Sequence, residues 1–129
     1  MPASDLTAAA ELFNRARYLA AHEVLDDLWE ETEGEAADFY KGLIQAAICL
    51  HHWQEGNPAG ARKLYQGHRR CLAAYLPRYR GVDVEAFLAS MQAALAPLLR
   101  ARSGEEPPFD EAARPRLVLA PGEAQPGAP

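Results

Sequence analysis

The densest set of chemically able side chains in the sequence is one short run, His22-Glu23-Val24-Leu25-Asp26-Asp27-Leu28-Trp29. On a helix, positions three and four apart share a face. His22, Asp26 and Trp29 then form one stripe with Leu25 at its edge, and Glu23, Asp27 and Glu30 form the next. A carboxylate one turn from an imidazole orients the ring and strengthens its hold on a proton. Such a pair suits general acid–base chemistry, with His22 and Glu23 as the candidates, or a metal ligand with its own orienting group. The plainer expectation is a partly buried His22 hydrogen-bonded to Asp26, with Glu23 and Asp27 solvated.

His22-Glu23-x-x-Asp26 has the spacing of the zinc-protease His-Glu-x-x-His helix, with aspartate in place of the second histidine. Zinc needs three or four well-placed ligands. His22, Asp26 and one of His51 or His52 supply three if the helices that carry them pack side by side, so a divalent metal is a possible cofactor, although none is expected. A second constellation is basic: Arg62, Lys63, Arg69, Arg70, Arg78 and Arg80, interleaved with Tyr65, Tyr75 and Tyr79. Cations and aromatic rings in alternation can bind nucleic acid, but two of these tyrosines fall on an apolar stripe, and a solvated helix face is the favoured account. His68 is read as an exposed histidine of that basic face. No glycine-rich phosphate loop, nucleophile elbow or catalytic Cys/His spacing occurs.

Five helices must position these groups. Ser4 or Asp5 can cap the first, whose buried face is Leu6, Ala9, Phe13 and Ala16. The apolar phase shifts over residues 14–18, which marks a turn, and the second helix runs from about Leu19 to Glu31. Glu30 and Glu31 in its last turn oppose the helix dipole, which points to basic neighbours among Arg62, Lys63, Arg69 and Arg70. The third helix, about Glu35 to Glu55, is apolar nearly all round over Gly42–Leu50, as befits the buried member of a bundle. Gln45, Cys49 and His52 share one stripe of it; Ile44, Ile48 and His51 share another. Gly42 costs helix stability of about 1 kcal/mol against alanine, and the expected reason is close approach of the second helix. Gly56-Asn57-Pro58 is a stop and turn, with Asn57 capping a fourth helix that runs to Leu76. Arg80-Gly81-Val82 reads as loop. Asp83 caps a fifth helix through Leu99, kinked at Pro97.

From Ser103 the chain turns rich in proline and glycine, which gives a helical domain at residues 1–102 and an extended tail at 103–129. Phe109 and Leu117-Val118-Leu119 can anchor part of the tail as a strap; about the last eight residues are expected to be poorly ordered.

At 129 residues with 49% hydrophobic side chains, a single core needs no disulfide or metal. Cys49 and Cys71 sit in helical apolar patterns, outside any Cys-x-x-Cys motif, and read as reduced thiols of a cytoplasmic protein. No apolar run approaches membrane-spanning length, and no signal peptide is evident. The net charge of −5 is unevenly spread: −8 over residues 1–55, +6 over 56–82 and −3 over 83–129. Opposed blocks of this kind lie against each other or serve docking. An apolar surface on the first or fifth helix could pair copies into a homo-oligomer.

Phe13-Asn14, Tyr18, His22-Glu23-Val24-Leu25-Asp26, Trp29, Gly42-Leu43-Ile44-Gln45, Ala47, His51 and Gly56-Asn57 together resemble the "domain of unknown function 309" family of small helical proteins, over roughly residues 10–100. That family usually has glutamate at the position of Asp26, whose shorter side chain weakens a metal-ligand role. The resemblance implies an all-α bundle of about five helices. It implies no activity, and it singles out His22, Glu23, Asp26, Trp29 and His51 as one site.

The expectation is thus an all-α single-domain bundle of about five helices with an extended tail. Its cluster of His22, Glu23, Asp26, Trp29, Gln45 and His51 would line a small cleft for a small molecule or protein partner. The alternatives are a metal-assisted hydrolase using His22 and Glu23, and nucleic-acid binding through residues 62–80.

Overall fold

A computed structural model describes residues 2–102 and 104–119, the side chains from Leu6 onward. It contains α1 (Pro2–Asn14), α2 (Tyr18–Glu30), α3 (Ala37–Gln54), α4 (Pro58–Leu72) and α5 (Val84–Arg100), with short 3-10 turns before α3, after α4 and at Glu111–Ala113. The all-α bundle expected from periodicity is what forms. The last eight residues lie outside the described ones.

Local chemistry explains most boundaries. Asn57 caps α4, its Oδ1 accepting from the Gly60 amide at 3.1 Å, with Pro58 in the first turn. Asp83 caps α5 through the Ala86 amide at 2.9 Å. Gly56 ends α3 at φ +79, a conformation that suits a residue without Cβ. Helix α1 begins at Pro2, so Ser4 and Asp5 fall inside its first turn and do not precede it. The segment read as loop at Arg80–Val82 is a tight hairpin: β1 (Arg78–Tyr79) pairs antiparallel with β2 (Val82–Asp83), turning through Arg80 at φ 49 and Gly81 at φ 82. Two-residue strands carry no periodicity for sequence reasoning to find.

Helix α3 is the central element, burying Phe39, Leu43, Ala47 and Leu50, and it packs on α2 on one side and α4 on the other. Helix α1 covers α2, and α5 closes the arrangement: Phe87 meets Phe13 of α1 at 5.4 Å and His68 of α4 at 5.3 Å. The close approach that Gly42 permits is to α4 and not to the second helix. A Cβ there would lie 2.7 Å from Leu72 Cγ and 3.1 Å from Cys71 Cβ. Residues 104–119 run back over the bundle in extended form, with Phe109 and Leu117 packed against the core. Among the described residues no helix is long and apolar enough to cross a membrane.

Candidate functional site

Helix α2 presents two unlike faces. Tyr18, Ala21, Leu25 and Leu28, at spacings of three and four, are buried against α1 and α3. The other face carries Glu23, Asp27, Glu30 and Glu31, all exposed, together with Trp29 at 40% exposure. Among the described residues these four carboxylates have no hydrogen-bond or ion-pair partner. His22 and Asp26 lie at the boundary, half-buried.

The expected hydrogen bond from His22 to Asp26 does not form: His22 Nδ1 is shielded from water and has no partner. A general acid–base needs an oriented ring, and that orientation is not supplied by Asp26. His51 and His52 lie beside each other on α3, ring centroids 6.5 Å apart, with His52 Nδ1 3.4 Å from Asn57 Nδ2. Among the described residues no hydrogen bond or ring contact joins His51 to His22 or Asp26, and no three His, Cys, Asp or Glu side chains stand close enough together to hold a metal ion. Gln45 faces α4: Cys71 Sγ approaches its Oε1 at 3.7 Å, and the same oxygen lies 2.7 Å from where a Cβ on Gly67 would be. His22, Glu23, Asp26 and Trp29 therefore share α2, while Gln45 belongs to the α3–α4 contact.

His68 overturns its reading as an exposed residue. It is fully buried, and its Nδ1–H donates to the Gly42 carbonyl at 3.1 Å. Its Nε2 is buried without a partner, among the rings of Tyr65 and Phe87. Burial pushes its pKa down to about 4; the Gly42 carbonyl opposes this and the Arg69 charge adds to it. The signal was present, since Ala61, Tyr65, His68 and Leu72 form one stripe at helical spacing, and all four are buried. The neighbouring Arg69 and Arg70 masked it.

The basic segment does not answer the acidic end of α2 either. Arg62 Nε donates to the Leu98 carbonyl and Arg69 to the Leu88 carbonyl, each at 3.3 Å, so two cations of α4 serve α5. Arg80 donates to Tyr40 Oη at 3.0 Å and lies over the Tyr40 and Tyr79 rings. Lys63, Arg70 and Arg78 remain exposed. Both cysteines are free thiols; Cys49 donates to the Ala61 carbonyl at 3.1 Å, and burial pushes its pKa up to about 12. Two functional-looking aromatics were missed. Tyr18 is buried with an unpartnered hydroxyl, and Trp53 donates from Nε1 to the Pro107 carbonyl at 2.7 Å.

Open grooves of about 510 and 570 Å³ lie elsewhere, one beside Pro97 and Arg100 and one between Glu35, Asp38, Tyr75 and Tyr79. Neither is lined by His22 or Trp29.

Comparison with known proteins places this arrangement in context. Residues 6–64 match the family described as a domain of unknown function, DUF309, so the resemblance drawn from the His22 stretch holds over that segment. An uncharacterized protein of Aquifex aeolicus is 30% identical over 91 residues, covering 70% of this chain and 27% of that protein. The uncharacterized protein YpuF of Bacillus subtilis is 34% identical over 58 residues, covering 44% of this chain and 33% of that protein. The chain thus spans about a quarter to a third of the curated relatives it matches. No solved structure matches it.

Proposed function

We propose that the chain is a non-enzymatic helical module that docks a basic protein segment on the outer face of α2. The observation that carries this reading is Trp29, an indole left 40% exposed beside carboxylates that have no partner among the described residues. A large exposed aromatic is informative in a way that a scattered leucine is not. Tryptophan is a preferred interface anchor, and its ring face attracts guanidinium and ammonium groups. Glu23, Asp27 and Glu30 on the neighbouring stripe, with Glu31, supply exposed counter-charges that steer a basic partner. His22 and Asp26 extend the same stripe inward.

The test uses the indole itself. A short arginine-rich peptide is titrated into the full chain while tryptophan emission is followed, with a glutamate-rich peptide as control. The expected result is a change in emission that weakens as salt rises and is absent in Trp29→Phe, where the buried Trp53 remains. No response to the basic peptide, or the same response in Trp29→Phe, would contradict the reading. Hydrolysis of simple ester or phosphate substrates that is lost in His22→Ala would favour the hydrolase alternative instead.

A further inference from the structure

Two outer faces of the bundle carry opposite charge and have no counterpart inside the chain. On α2, Leu19, Glu23, Asp27 and Glu30 follow one another at spacings of four, four and three, all exposed, Leu19 at 51%. On α4, Lys63, Gln66 and Arg70 follow at spacings of three and four, also exposed, and the chain runs on into exposed Ala73 and Ala74. Among the described residues neither the three acids nor Lys63 and Arg70 have a hydrogen bond or ion pair. The other cations of α4, Arg62 and Arg69, are already given to carbonyls of α5. Helices α2 and α4 pack on different sides of α3, so the two outward faces do not meet within one copy.

The faces match in spacing as well as in sign. Glu23 and Glu30 stand seven residues apart, and so do Lys63 and Arg70. Each pair therefore spans about 10.5 Å of helix axis. Laid antiparallel, Glu23 comes opposite Arg70, Asp27 opposite Gln66 and Glu30 opposite Lys63, while Leu19 comes opposite Ala73 and Ala74. The Gln66 amide donates to a carboxylate, so the middle position is satisfied too. Laid parallel, the same charge pairing puts Asp27 against Gly67, which has no side chain to offer. The antiparallel order also sets the two helix dipoles in opposition, which is the favourable arrangement side by side. Trp29, one stripe round from Glu30, then flanks the contact at its Lys63 end.

We propose that the basic segment docked on α2 is helix α4 of a second copy of this chain. The proposal deepens the reading of the Trp29 face and rests on it. Because the two faces lie on different sides of α3, each copy gives α2 to one neighbour and α4 to another, and the association runs head to tail. Exposed ion pairs contribute little singly, so the contact forms in concentrated protein, and salt weakens it. At the dilution of a peptide titration followed by emission, the chain stays single.

The test is sedimentation velocity of the full chain at rising protein concentration. In low salt the sedimentation coefficient of the wild-type chain is expected to rise, and at about 0.5 M salt to stay at the monomer value. Glu23→Lys combined with Glu30→Lys makes both faces basic, and Lys63→Glu combined with Arg70→Glu makes both acidic. Each variant alone is expected to remain monomeric, and their equimolar mixture to associate. All four side chains are exposed, so neither exchange touches the core. If a variant does not fold, wild-type tryptophan emission followed against protein concentration decides instead. A salt-sensitive change that is absent in Trp29→Phe is expected there, and emission that never changes would overturn the proposal. A wild-type chain that stays monomeric in low salt would also overturn it, as would a mixture of folded variants that does not associate. If the wild-type chain never associates but, when dilute, binds the arginine-rich peptide through Trp29, self-docking falls and the Trp29 reading stands; if neither occurs, both fall.

Discussion

The helices on the two sides of α3 treat a histidine differently, although each ring keeps one buried nitrogen without a partner. On the α4 side, His68 is sealed among Tyr65, Phe87 and Gly42, with its Nδ1–H given to a backbone carbonyl. On the α2 side, His22 is half-buried, its Nδ1 has no partner, and the adjacent face bears an exposed tryptophan and acids that are unpaired among the described residues. Buried polar groups that are bonded specify one packing of a core. A surface that leaves an indole and several carboxylates uncompensated does nothing comparable for the fold. The contrast sets the half of the bundle that specifies the core packing against the face proposed for binding.

The largest expected effect tests that division directly. His68→Ala removes a fully enclosed ring and the bond to Gly42, and should cost about 3–5 kcal/mol, as large-to-small core changes do. His22→Ala removes a half-buried ring whose Nδ1 has no partner, and should cost about 1 kcal/mol or less. Chemical denaturation of both variants checks this, and comparable losses would break the comparison.

A smaller effect, visible in the wild-type chain, sharpens it. An unfolded histidine takes its proton near pH 6.5, whereas His68 in the fold does so only at about 4. The unfolded state therefore binds more protons in that window. Stability contributed by neutral His68 is fully present above pH 6.5 and is lost as pH falls toward 4, by roughly 3 kcal/mol in all. His68→Gln keeps a donor but does not titrate in this range, so it should flatten this part of the pH–stability curve. An unchanged slope in His68→Gln would contradict the assignment to His68.

What the sequence made legible was what is encoded locally. The caps at Asn57 and Asp83 are read correctly because a side chain and an amide three residues on decide them. Gly42 is read correctly as a point of close approach, but its neighbour was misassigned, because nothing local says which helix comes to it. His68 sat on a legible stripe, and its basic neighbours were given more weight than its phase. The hairpin at Arg78–Asp83 was too short for any pattern. For the site, the clustering of His22, Glu23, Asp26 and Trp29 on one helix was legible from spacing alone. Whether His22 bonds Asp26, and whether Gln45 turns toward α2 or α4, depends on side-chain directions that only tertiary packing sets.

The most direct test of the binding face is a nitrogen-15 chemical-shift map of the full chain titrated with the arginine-rich peptide. The account predicts salt-sensitive shifts confined to residues 22–33, together with the Trp29 indole, and quiet signals around His68 and Gly42. An absence of shifts, or shifts centred on α4 and α5, would contradict it.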